Sequence, residues 1–116
     1  MSELTEKGTL PVGITVAGKV HKEYEIRPEV LGDTMEGEDQ GHGGAGKEVT
    51  MSAFVLSRRI VKLGTLESHE ITMNLLKDMD PADYAELMAG SGRLAKKRES
   101  FRAKKSKPGE GDSGAA

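Results

Sequence analysis

Between residues 9 and 27 the chain alternates with a period of two. Leu10, Val12, Ile14 and Val16 interleave with Pro11, Gly13, Thr15 and Ala17; beyond Ala17-Gly18-Lys19, the residues Val20, Lys22, Tyr24 and Ile26 share one face. This spacing predicts an antiparallel β-hairpin with Gly18 at positive φ in the turn, and with His21, Glu23, Glu25 and Arg27 on the opposite face. Pro28 has no N–H for a ladder and suits the first position of a helix, so residues 28–35 predict one or two helical turns, weakened by Gly32. The next stretch, EGEDQGHGGAGKE (36–48), has no apolar period and predicts an exposed flexible loop.

From residue 49 the period lengthens. Val49, Ala53, Leu56, Ile60 and Leu63 recur at three- and four-residue steps, with Phe54 and Val61 widening the stripe; they predict a helix over 49–63, stopped by Gly64. A shorter helix is predicted over 71–79, where Leu75, Leu76 and Met79 cluster. A further one begins at Asp80-Pro81-Ala82-Asp83, with Asp80 as cap, Pro81 in the first turn and Asp83 at the positive end of the dipole. Tyr84, Leu87 and Met88 supply its apolar face. Gly90-Ser91-Gly92 predicts a break before the basic arm 93–107, and Pro108 a stop.

The pattern describes a small single α+β domain: an N-terminal β-hairpin followed by three or four α-helices. Residues 1–8 are expected to be flexible, 9–107 to form the domain, and 108–116 to be a disordered tail. With 116 residues, 35% of them hydrophobic, and only Tyr24, Tyr84, Phe54 and Phe101 as aromatics, the core must rest on aliphatic side chains and is small enough that self-association would help it.

Charge divides the chain. Residues 93–107 carry eight basic side chains and one acid, a net +7, so the remainder carries −9 of the total −2. Arg93, Lys96, Lys97, Arg98, Arg102, Lys104, Lys105 and Lys107 read either as a solvated helix end complementing the dipole or as a phosphate-binding arm. The chain has no cysteine, which excludes disulfides, thiolate metal sites and a cysteine nucleophile. It has no apolar run long enough to span a bilayer, and Met1–Glu6 lacks the basic and apolar regions of a signal peptide. A protein of a reducing, aqueous compartment is expected.

Candidate chemistry is sparse. Gly41–Lys47 comes close to a phosphate-cradling loop, yet Glu48 stands where a hydroxyl would ligate magnesium, and no apolar strand leads into it. His21, His42 and His69 have no partner at metal-ligand spacing and read as surface residues. Glu36, Glu38 and Asp39 fit no calcium loop. No catalytic, cofactor or metal residues are expected. Met35, Met51, Met73, Met79 and Met88 read as core gap-fillers or as an adaptable surface for an apolar helix.

The order of elements carries a resemblance. Ile14–Gly18, then Tyr24-Glu25-Ile26-Arg27-Pro28, Leu31-Gly32-Asp33, Leu56-Ser57-Arg58-Arg59-Ile60-Val61-Lys62-Leu63-Gly64, Ile71-Thr72, Leu75-Leu76 and Met79-Asp80-Pro81-Ala82-Asp83-Tyr84 resemble the tail assembly chaperone family of Mu-like contractile-tailed phages and prophages. The resemblance covers about residues 10–100; the glycine-rich insertion 36–48 and the long basic arm depart from the family pattern. It implies a non-catalytic chaperone that binds the tape measure protein and assists tail tube assembly, in contact with the tail tube protein, in the host bacterial cytoplasm and outside the mature virion. The apolar helical faces expected to be shared between the protein's own core and that partner's amphipathic helix are Leu56, Ile60, Leu75, Leu76, Met79, Leu87 and Met88. The alternative is a small nucleic-acid-binding protein that uses the basic arm.

Overall fold

The computed structural model describes residues 4–110, with side chains through residue 102. It is an α+β fold in which an antiparallel meander, ordered β1-β2-β3-β4, carries helices on one face. The strands are β1 (Glu6–Val16), β2 (Lys19–Ile26), β3 (Ile60–Leu63) and β4 (Leu66–Glu67). The helices are α1 (Leu31–Asp39), α2 (Glu48–Arg59), α3 (Met73–Lys77) and α4 (Pro81–Glu110), with a 3-10 turn at Ser68–Glu70.

The hairpin forms as its alternation predicts, turning on Ala17 (φ 52°) and Gly18 (φ 78°). Two consecutive residues at positive φ match the twist of the strands they join. The faces differ from simple alternation. Glu6 to Thr9 pair with Ile26 to Glu23, but Ile14 pairs with His21, so β1 contains a three-residue excess between Thr9 and Ile14. An odd excess exchanges the two faces. Val12 and Val20 therefore point to solvent, as does Lys22, while His21 is buried and not the surface residue expected. Gly13 sits in this bulge at φ 97°.

The strand also starts earlier than the flexible segment 1–8 allowed. Glu6 is buried because Arg93 and Lys97 of α4 pair with its carboxylate at 2.8 and 2.6 Å. Pro28 precedes α1 without entering it, and α1 extends through Asp39, taking in the first residues of the expected loop. The expected tail 108–116 is helical up to Glu110, and its last six residues lie outside the described ones.

The helix expected over 49–63 is two elements. Helix geometry ends at Arg59, and Ile60–Leu63 pairs with β2, Tyr24 opposite Leu63 and Glu25 opposite Lys62. The β-branched pair Ile60-Val61 favours this, and a bulge lets Ile60 and Leu63 both face the core, so their spacing fitted a helix equally well. Gly64, at φ 59°, opens the two-residue β3–β4 turn and does not cap a helix.

On the open face of the sheet one row reads Lys7, Glu25, Lys62, Glu67 across all four strands, opposite charges in adjacent positions. The inner face and the helices bury Leu10, Ile14, Tyr24, Ile26, Leu56, Ile60, Leu63, Leu66, Ile71, Leu76, Leu87 and Leu94.

Helix α4 runs unbroken through Gly90-Ser91-Gly92. Asp83, Leu87, Gly90 and Leu94 form its buried seam. A Cβ on Gly90 would collide with the Tyr24 hydroxyl, and so would one on Gly8 of β1, so Tyr24 lies between two glycines. Ser91 Oγ accepts from Arg59 at 2.8 Å. These residues are close-approach positions and not helix stops. Gly90→Ala is therefore expected to destabilise by about 1–3 kcal/mol through overpacking. Gly92→Ala, in open space, is expected to stabilise by up to about 1 kcal/mol. Urea denaturation of the two variants checks the opposite signs.

Candidate functional site

Three arrangements define the surface from which function must be read: an ionic clamp, a second network that fixes α4, and an inverted helix.

The clamp is centred on Asp33, whose side chain is fully buried. Arg27, at the end of β2, donates from both terminal nitrogens to its two oxygens at 3.0 and 2.8 Å. Arg58 of α2 donates its Nε at 3.0 Å, and the Val30 N–H donates at 2.9 Å, closing the first turn of α1. Burial alone would push the carboxyl up, but Arg27, Val30 N–H and Arg58 outweigh it and hold the Asp33 pKa at about 2. Arg27 is raised in turn, chiefly by its bond to Asp33. Arg27 NH2 also donates to the Arg58 carbonyl, and Arg59 Nε to the Arg27 carbonyl. The clamp thus ties β2, α1 and α2 into one corner.

A second network fixes α4. The Tyr24 hydroxyl donates to Glu86 at 2.8 Å, and Arg93 bridges Glu6 and Glu86. Burial, reinforced by the Glu86 carboxylate, pushes the Tyr24 phenol up to about 12. At the start of α4 the Asp80 carboxylate accepts from Ala82 N–H, as its capping position predicts. Asp83 does more than complement the dipole: its two oxygens accept from the Val12 and Gly13 N–H groups at 2.8 and 2.9 Å, holding the β1 bulge.

Helix α1 is inverted. It buries Asp33 and Gly37 and exposes Leu31 (75%) and Met35 (61%), one turn apart on the opposite side. Gly37 allows the close approach to α2, since a Cβ there would strike the Met51 sulfur. Val30 and Val49 are also exposed, and Glu36, Glu38, Asp39 and Glu48 give this end of the molecule an acidic character.

The residues assigned to a partner from the sequence gather mostly inside. Leu56, Ile60, Leu76 and Leu87 are core, and Leu75 and Met79 are half-buried against it; Met88 alone of the seven is exposed. Helical spacing marked them because it marks buried faces. The exposed apolar residues of α1 form no clear stripe in the sequence, because Gly32 and Gly37 interrupt its period. The only available signal was the i, i+4 pair Leu31 and Met35.

The remaining motifs resolve locally. Lys47 Nζ donates to the Gly41 carbonyl within its own loop, and a helix, not a strand, precedes that loop. His42 stacks on Phe54 with ring centroids 4.7 Å apart, and His21 Nδ1 accepts from Thr65 N–H. Among the described residues no cluster of His, Asp or Glu could hold a metal ion, and no helix is long and apolar enough to cross a membrane. In the basic arm, Arg93 and Lys97 are engaged by Glu6, and Arg98 donates to the Glu29 carbonyl at 2.7 Å. The side chains of Lys104, Lys105 and Lys107 lie outside the described ones.

Comparisons with protein-family models, with curated proteins and with solved structures gave no match.

Proposed function

We propose that the protein is a non-catalytic tail assembly chaperone that holds an amphipathic helix of a tape measure protein on the outer face of α1. One observation carries this reading: α1 turns Leu31 and Met35 to solvent while burying an aspartate and a glycine. A helix of a self-sufficient domain would do the reverse, and contiguous exposed apolar side chains mark interaction surfaces. The acids Glu36, Glu38, Asp39 and Glu48 favour a partner helix whose apolar stripe is flanked by Lys or Arg. Residues of the resemblance, Arg27, Asp33 and Arg58, form the clamp that holds α1 in this inverted setting. That gives the shared positions a structural purpose in support of the family reading.

The test is co-expression with the tape measure protein of the same genome, followed by size exclusion at moderate and high salt. Co-elution persisting at high salt is expected, because apolar burial is not screened. L31E combined with M35E should abolish it while leaving the thermal midpoint nearly unchanged, since both side chains are exposed. Loss of co-elution at high salt, with retention of nucleic acid at low salt, would favour the basic arm and overturn the reading.

A further inference from the structure

We propose that the groove between α2 and α3 is a binding site for an oxyanion, a carboxylate or phosphate group, received by the free edge of Arg58 and the Asn74 amide. This inference does not depend on the helix-holding face of α1: it shares Arg58 with the clamp but none of the exposed apolar residues of that face.

The groove has a volume of about 630 Å³. Arg27, Arg58, His42 and His69 line it together with Thr72 and Asn74, and no aspartate or glutamate does. In a chain whose residues outside the basic arm carry −9, the lining itself is basic, with Glu36 adjoining it through Gln40 at 2.7 Å and Glu67 through His69 at 4.0 Å. Asp33 lies beneath and does not cancel it. One carboxylate faces two guanidinium groups there, which leaves the trio Arg27, Asp33 and Arg58 at +1.

Arg58 is prepared for a ligand. Asp33 takes its Nε and thereby anchors the guanidinium plane, while its two terminal nitrogens have no hydrogen-bond partner among the described residues. Its side chain is 38% exposed, so these donors are accessible. A planar fork with one edge already fixed loses little freedom when the other edge engages an oxyanion. The Asn74 side chain, near the start of α3, also has no partner among the described residues. His42, packed on Phe54, forms one wall and holds its ring in place.

The experiment is a titration of the full chain, followed by 15N–1H NMR, with inorganic phosphate and separately with acetate, at ionic strength matched by chloride. Saturable shifts are expected at Ser57, Arg58 and Asn74, with a dissociation constant on the order of 1 mM. N74D places a carboxylate in the groove at an exposed position and should weaken binding at least about tenfold without lowering the thermal midpoint. R58K keeps the charge but loses the fork, and should weaken it comparably. A response to only one of the two anions supports the site and names its source. Absence of saturable shifts with both anions, shifts undiminished in N74D, or shifts centred on the basic arm would overturn the proposal. Because the probes are small anions, failure here leaves the tape measure reading untouched, and failure of co-elution leaves the groove untouched.

Discussion

Replacing Asp33 by asparagine is expected to destabilise the protein by about 3 kcal/mol, the lower end of what breaking a buried ion pair costs. The lower end applies because Arg27 and Arg58 keep 28% and 38% of their side chains in contact with water and can be partly rehydrated. For a domain of this size the thermal midpoint should fall by roughly 10–20 °C. The same carboxyl sets the acid limit. Its folded pKa lies below the unfolded value, so its stabilising contribution is fully present above about pH 4 and is lost as pH falls through about 2. Glu6 and Glu86 are likewise held low, Glu6 first by Lys97 and then by Arg93, Glu86 first by Tyr24 and then by Arg93, and they add to acid sensitivity with the same sign. D33N should therefore lose stability at neutral pH and show a flatter pH dependence between 4 and 2 than the parent chain. Urea midpoints measured across that range read both effects.

The second large effect concerns Asp83. D83A removes the acceptor for two backbone donors of the β1 bulge and is expected to cost about 3 kcal/mol, given that a hydrogen bond to a charged group contributes roughly 1.5–3 kcal/mol and that water can replace part of the loss. D83N retains one acceptor oxygen and should lose about half as much. The local signature is amide exchange. Val12 and Gly13 N–H groups should be protected in the parent chain and exchange quickly in D83A, while the Glu6–Thr9 pairing with β2 persists. A D83A variant that unfolds at the same urea concentration as the parent would show that the bulge is held by the hairpin alone.

The sequence revealed the element types where local chemistry is decisive and failed where a distant partner decides. The hairpin was legible because period-two alternation and a Gly18 turn are local signals. So was the start of α4, where Asp80 caps and Pro81 fits the first turn. The bulge between Thr9 and Ile14 was not, because the carboxylate that accepts its N–H groups, Asp83, is seventy residues away. The burial of His21 follows from that bulge and was hidden with it. At residues 60–63, helix and strand spacing are indistinguishable for two core residues, and the free edge of β2 chose the strand. Gly90 looked like a break because its close partner, Tyr24, is sixty-six residues earlier.

The candidate surface was less legible than the fold. Periodicity finds the faces that fold the chain, which is why Leu56, Ile60, Leu76 and Leu87 proved to be interior. The surface proposed for a partner breaks the rule that periodicity relies on: Leu31 and Met35 face solvent while Arg27 and Arg58 compensate for the aspartate buried in their stead. The basic arm stood out in the sequence as a block of charge. Its first cations in fact answer Glu6 of β1, Glu86 of α4 itself and the Glu29 carbonyl, and the Glu6 pairs hold α4 to the sheet.

The most direct measurement is hydrogen–deuterium exchange of the chain alone and in complex with the tape measure protein. Added protection over residues 30–39 and around Val49, with little change over 93–102, is the expected result. Protection confined to the basic arm, or none over α1, would contradict the assignment of the α1 face as the partner surface.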